Sequence, residues 1–338
     1  MTTFVPAGDL GEAFHADVIR PLVGDIPYAA GLLGWGSDVL GYDTERSTDH
    51  GWGPRLTIFV DAEHVEPVRK AIEQGLPDTF RGYDVRFGWD TQEPIHHVNV
   101  STLADWLVGH LGIDATRPLT KRQWLTLPQQ QILGVVKGRV YADDGRLQPV
   151  RERLQWYPDD VWRWLIAAQW RRIAQEEPFV QRTAEVGDDL GSAVVAARQI
   201  REVMRLSFLQ ARAYAPYSKW FGTAFAGLGH ADGLDVVLRE ALQKPETALP
   251  VAYELVARRH NALGITAPVD PEPRQFHERP AMVLDADRFV TACLDTIEDP
   301  WLKGLPLIGA VDQFGDSTDL LSRPTTYTRL TELYGEEQ

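Results

Sequence analysis

Two short apolar runs, Tyr28-Ala-Ala-Gly31-Leu-Leu33 and Leu56-Thr57-Ile58-Phe59-Val60, flank a twenty-residue connection rich in glycine and acid. That connection reads Gly34-Trp-Gly36-Ser37-Asp38-Val-Leu-Gly41-Tyr-Asp43-Thr-Glu45-Arg46-Ser47-Thr48-Asp49-His50-Gly51-Trp52-Gly53. The runs predict two strands, with the first delivering a Gly-Ser turn at its end. A small, mobile Gly36-Ser37 pair can offer backbone N–H groups and a hydroxyl to phosphate oxygens, and an acid at the mouth of the next strand can hold Mg²⁺ against that phosphate. Asp49 is placed for that part. The competing reading of Gly36-Ser37 is a plain strand-ending turn.

The rest of the first third alternates helix and strand. Leu10, Phe14, Val18 and Leu22 recur at helical spacing, predicting a helix capped by Asp9 and ended near Gly24. Val65, Val68, Ile72 and Leu76 predict a second helix stopping before Pro77. Strands at Tyr83 to Phe87 and His97 to Val100 follow, then a helix around Leu103 to His110. The pattern changes near residue 118. A hairpin over Gly134 to Tyr141 is followed by helices at Pro158 to Ile173, Leu190 to Arg212, Pro216 to Leu228, Leu234 to Leu242, Leu249 to Leu263 and Asp285 to Asp295. The stretch Pro268 to Pro280 reads as an exposed loop. The expected fold class is therefore α+β, a mixed-sheet domain over 1–117 and an all-helical bundle over 118–338.

Composition narrows the partners. With 338 residues, 44% hydrophobic and 24% charged, the chain is an ordinary globular one. No run approaches the roughly 18 apolar residues of a membrane span, and no apolar leader opens the chain, so a cytoplasmic protein without a membrane partner is expected. A net charge of −14 opposes binding to DNA or RNA, which needs clustered Lys and Arg. The single cysteine, Cys293, forms no intrachain framework and reads as a small buried hydrophobe.

A metal-dependent phosphate site needs two or three carboxylates. Asp38, Asp43 and Glu45 in the connection, Asp84 in the next strand and the weaker oxygen ligand Asn99 are the candidates to join Asp49. Asp38, Asp43 and Glu45 read equally as solvated loop charges, and Asp84 as the outward member of an alternating strand. His96 and His97 point to opposite faces of a strand, and no zinc site is expected. In the helical part, Asp188 and Asp189 read as a helix cap or as a ligand for a metal or amine. Arg198, Arg201 and Arg205 share a helix face, either as a phosphate-reading stripe or as a salt-bridged surface. Tyr217, Ser218 and Lys219 combine a stacking ring, a hydroxyl and a cation in one turn, the best contact for a base or triphosphate from this side, against core packing as the alternative.

Gly34 to Phe59, with Trp156-Tyr-Pro-Asp-Asp-Val-Trp162, Gln175-Glu-Glu-Pro-Phe179, Gly187-Asp188-Asp189-Leu-Gly191-Ser192 and Ala215-Pro-Tyr-Ser-Lys-Trp220, resembles a bacterial family of unknown function with a nucleotidyltransferase-like N-terminal half. The nucleotidyltransferase superfamily separates its Gly-Ser element from its first acidic ligand by the twelve residues that separate Ser37 from Asp49. By that resemblance, Ser37 touches the β- or γ-phosphate of a nucleoside triphosphate and Asp49 a Mg²⁺. The pattern wants a second acid two positions on, where this chain has Gly51, and His50 points to the other face of a regular strand. Two functions follow as expectations. One is Mg²⁺-dependent transfer of a nucleoside monophosphate to a hydroxyl of a small-molecule acceptor. The other is a nucleotide- or metabolite-binding protein that has lost the catalytic pair. A homodimer is compatible with either.

Overall fold

The two apolar runs of the N-terminal third pair with each other. In a computed structural model, which describes residues 4–49, 51–88, 93–230, 232–279 and 281–337, β1 (Ala29–Leu32) lies antiparallel to β2 (Arg55–Phe59), with Ala29 opposite Phe59. The expected strand at Tyr83 to Phe87 is two pieces. Its first half joins a separate ribbon, β3 (Thr79–Phe80) with β4 (Tyr83–Asp84), while its second half, β5 (Arg86–Phe87), pairs with β6 (Ile95–Ser101). β6 runs parallel to β2 with His97 opposite Arg55, and β7 (Arg139–Ala142) closes the other side of β1, giving the mixed order β5-β6-β2-β1-β7.

β7 corrects the hairpin expected over Gly134 to Tyr141. The residues up to Val136 belong to a helix, Gln129–Val136, and a single strand then returns to the sheet. Val135 and Ile132 are buried there, so the valine pair read as strand is apolar for helix packing. The chain divides into two units: residues 1–119, 127–155 and 322–328 form the first, and 120–126, 156–321 and 329–338 the second.

In the first unit, Leu56, Ile58, Val60, Val98 and Val100 pack with Phe14, Ile19, Val68 and Ile72 in one core, while Phe59 meets the Trp106 ring edge-on at 5.3 Å. β2 is thus covered on both faces, which is why it reads as a nearly unbroken apolar run. The opening helix departs from expectation at its start. Pro6 holds the N-cap of Ala7–Phe14, and Asp9 sits inside the first turn with its carboxylate on Arg139. The helix widens to a π turn over His15–Ile19 just before Pro21, which has no N–H for the regular ladder, and stops at Gly24 with φ 67°. Helices Ala62–Gly75 and Leu103–Leu111 form as their apolar spacing predicts.

The second unit is helical. Helix Asp159–Glu176 is buried nearly all round from Val161 to Trp170, and packs against Asp189–Gln210 and Asp287–Asp295. Its polar residues are satisfied inside the core. Gln169 donates to Glu202 at 2.6 Å, and Arg172 grips both oxygens of Glu202 at 3.0 and 3.1 Å. Burial alone would raise the Glu202 carboxyl, but the Arg172 bonds and the Arg205 and Arg172 charges outweigh it and hold it below the ordinary range. Val194 on the Asp189–Gln210 helix is exposed; the Pro268 to Pro280 stretch is mostly exposed over its described residues, as expected, but contains a short strand, Arg274–Gln275, paired with Met282–Val283, and Pro280 lies outside the described residues. Cys293 is buried as expected, and burial pushes its thiol up to about 12.

Glu177, just past the Asp159–Glu176 helix, pins the start of Asp287–Asp295. Its carboxylate accepts N–H groups from Leu284 at 2.7 Å, Asp285 at 3.2 Å and Ala286 at 3.0 Å. Burial pushes this carboxyl up from 4.5 to about 7 against the lowering pull of those donors. The folded chain therefore keeps a proton that the unfolded chain releases near 4.5, so this contribution to stability is complete below 4.5 and is lost as pH rises to about 7. Glu177→Gln removes that slope. Between about pH 4.5 and 7.5, urea unfolding should show the variant gaining roughly 3 kcal/mol relative to the parent; an unchanged difference would exclude a protonated Glu177.

Candidate functional site

The Gly34-Trp35-Gly36-Ser37 turn leaves β1 at the edge of the sheet where β2 begins, because the two strands are antiparallel. Gly34 and Gly36 have φ of 92° and 129°, conformations that favour glycine. Gly34 donates its N–H to the Gly134 carbonyl at 2.8 Å, and a Cβ on Gly134 would stand 2.6 Å from the Gly34 oxygen, so the turn sits backbone to backbone on the Gln129–Val136 helix. Further along, Tyr42 donates to the Ser37 carbonyl at 2.8 Å and Gly41 to the Asp38 carbonyl at 3.2 Å. The loop folds on itself.

An ion pair closes this turn onto β2. Arg55, the first residue of the strand, donates from Nε to Asp38 Oδ2 and from Nη2 to Asp38 Oδ1, both at 2.7 Å, and from Nη2 to the Trp35 carbonyl. Asp38 is therefore a structural anchor, which corrects its reading as a solvated charge. The fork geometry is the bidentate one that only arginine supplies. Gly36 is required beside it, since a Cβ there would fall 2.0 Å from Asp38 Oδ1 and 2.7 Å from Arg55 Nη2. Trp35 stays 44% exposed, with its ring edge-on to His110 at 6.0 Å. His110 in turn stacks on Trp106 and donates from Nε2 to the Gln131 carbonyl, and burial lowers its pKa to about 4, so it is neutral. His97 donates from Nε2 to the Phe87 carbonyl at 2.9 Å, and burial lowers its pKa as well.

The acids expected to share a metal have different fates. Asp49 ends a short 3-10 turn, Glu45–Asp49, and is exposed at the approach to β2. Asp43 is committed elsewhere: its Oδ2 accepts the Ala7 N–H at 2.7 Å and the Trp52 Nε1–H at 3.2 Å, capping the opening helix from a distant part of the chain. Asp84 lies exposed on the separate β3–β4 ribbon, opposite Thr79. Among the described residues no group of three or more His, Cys, Asp or Glu side chains is placed to hold a metal ion. Asn99 is exposed on β6, His50 lies outside the described residues, and Gly51, with φ 61°, donates its N–H to the Gly88 carbonyl at 3.2 Å.

In the second unit the arginine face is a set of ion pairs. Arg198 meets Glu176 at 3.2 Å, Arg201 donates to both oxygens of Asp316, and Arg205 is largely buried, 3.6 Å from Asp316. These contacts are those of the salt-bridged reading of this face. Asp188 caps its helix by accepting the Gly191 N–H at 2.8 Å. Tyr217, Ser218 and Lys219 are exposed at the start of helix Ser218–Ala226, with Lys219 Nζ 5.1 Å from the centre of the Trp220 ring. Arg55 and Trp35 are the site residues that sequence reasoning passed over. The available signal for Arg55 was a cation opening an otherwise apolar strand.

Residues 124–221 match a family model described as Domain of unknown function (DUF4037). The match spans under a third of the chain and contains four of the five stretches on which the resemblance rested; Gly34 to Phe59 lies outside it. No curated protein matches the chain. A solved structure described as a nucleotidyltransferase-like protein from Exiguobacterium sibiricum 255-15 aligns at 11% identity over 87% of this chain and 92% of that one, with a TM-score of 0.34. A score of that size carries no argument about fold or activity.

The Arg55–Asp38 clamp yields a direct test. Each carboxylate or guanidinium left alone at this half-covered site loses a desolvated partner, so Arg55→Ala and Asp38→Ala should each lower unfolding stability by about 2 kcal/mol. The double variant should cost little more than the worse single one, with a coupling energy above roughly 1 kcal/mol by denaturant unfolding.

Proposed function

We propose that the first unit binds a nucleoside triphosphate through the Gly34–Ser37 turn, on a nucleotidyltransferase-like scaffold without a two-metal centre. The observation that carries this reading is the turn itself. Two glycines at positive φ stand at the end of β1, and Arg55, held by Asp38, donates to the Trp35 carbonyl between them. The Gly34 N–H is taken by Gly134, so the groups this ordered turn would offer to phosphate are the backbone N–H groups of Trp35 and Gly36. Trp35, exposed in the same turn, supplies a flat apolar surface on which a base can stack.

The carboxylates do not fit a pair of Mg²⁺ ions. Asp43 is held by Ala7 and Trp52, Asp84 is on another ribbon, and Gly51 takes the second acidic position. Binding is therefore the function supported best. Mg²⁺-dependent transfer to the hydroxyl of a small-molecule acceptor is the second reading, favoured by the exposed place of Asp49 on the approach to β2.

Calorimetric titration with ATP, GTP, CTP and UTP, with and without Mg²⁺ and followed by assay for released pyrophosphate, separates the two. The binding reading expects micromolar affinity for at least one nucleotide and no pyrophosphate. It also expects roughly tenfold or greater loss in Gly36→Ala, and affinity kept within about twofold in Asp49→Ala. Pyrophosphate release that needs Mg²⁺ and disappears in Asp49→Ala would instead establish transfer. No nucleotide binding at all would reduce the Gly36-Ser37 element to a turn.

A further inference from the structure

The strongest unassigned feature lies in the second unit. A groove of about 240 Å³ runs along the first half of helix Asp189–Gln210, which supplies Ser192, Ala196 and Ile200 to its floor. Its opposite wall is the corner between helices Leu234–Ala241 and Pro245–Ala262, where Ala241, Leu242, Gln243, Pro245 and Glu246 line it and Lys244 does not. Leu242, which lines it, is 64% exposed, and on the lining helix Leu190 and Val194, next in the chain to the lining residues Asp189 and Ala193, are 77% and 62% exposed. Leu190, Val194 and Ala197 follow at spacings of four and three, so they share one helix face. Soluble helices turn such a face inward, and an open leucine and valine on the helix that lines an apolar groove mark a contact surface.

Charge says what kind of partner fits. The charged side chains lining the groove are Asp189 and Glu246, both acidic. A second copy of this chain, with net charge −14, would bring like charge to that rim. A segment that carries leucines on one face and lysines or arginines beside them would cover the apolar floor and meet both carboxylates. The groove lies along a helix and is open at its side, the arrangement in which an amphipathic helix is received. We infer that this groove docks a basic amphipathic helix of a partner protein.

The probe is a fluorescein-labelled synthetic peptide of about 14 residues built from Leu, Ala and Lys, with leucines at i, i+4 and i+7. Fluorescence anisotropy with the full chain should show saturable binding that weakens as salt is raised. Ala197→Trp fills the groove from an exposed position, and Asp189→Lys with Glu246→Lys reverses its rim; each should weaken binding by roughly tenfold or more. Circular dichroism keeps the two variants interpretable, since neither changes a buried residue. The inference is overturned if the peptide does not bind, if both variants bind it unchanged, or if a glutamate analogue of the peptide binds equally well. It is also overturned if sedimentation shows the parent to be a dimer that Ala197→Trp dissociates, which would give the groove to a second copy.

Discussion

The bidentate contact between Arg55 and Asp38 is the interaction on which the first unit's site depends. It joins the first residue of β2 to the turn that leaves β1, and so closes the near end of a long irregular connection. Without it, the turn would rest on the Gly34–Gly134 backbone bond and on hydrogen bonds within its own loop. The remainder of the connection is held at its far end by Asp43, which satisfies an orphan N–H of the opening helix and the Trp52 indole together. Two carboxylates that could have been ligands are thus spent on architecture. On the binding reading proposed above, this leaves a shaped backbone turn with Glu45 and Asp49 as the exposed acids of the connection.

The helical unit uses buried polar groups differently. Glu202 is gripped by Arg172 and Gln169, and Gln169 accepts from Gln313, so one chain of hydrogen bonds links three helices through an otherwise apolar core. Each member is paired, which limits the desolvation penalty and fixes the helices in one register. Glu177 extends the principle to a loop, holding three consecutive N–H groups ahead of helix Asp287–Asp295. Here a carboxylate takes the place of a local cap, because Asp285 adopts φ 58° and Ala286 at the N-cap has no side-chain acceptor.

Much of the fold was legible in order and type. The helices at Val65 to Leu76, Leu103 to His110, Pro158 to Ile173 and Leu190 to Arg212 follow their apolar spacing, because burial of one face is a local property of the pattern. The misreadings occur where apolar residues are too few to carry a period. Val135-Val136 looks like a strand by composition and is helix by context, while Tyr83 to Phe87 is split between two sheets because its partners are not encoded within it. Site residues divided the same way. Gly36 was visible because the φ it needs is a property of one residue, whereas Arg55 and Asp38 lie seventeen positions apart and gain meaning only as a pair.

The sequence by itself determined that this chain has a mixed α/β beginning and a helical continuation, since periodicity, glycine turns and helix caps act over a few residues. It also determined that Gly51 cannot supply the second carboxylate, because a glycine has no side chain to offer. Only tertiary structure decided that β7 joins the first sheet, that Asp43 caps a helix and that the Arg198 to Arg205 face is neutralised by Glu176 and Asp316. Those outcomes depend on partners far apart along the chain. No local rule carries such pairings, because which carboxylate meets which cation is set by the packing of the whole unit.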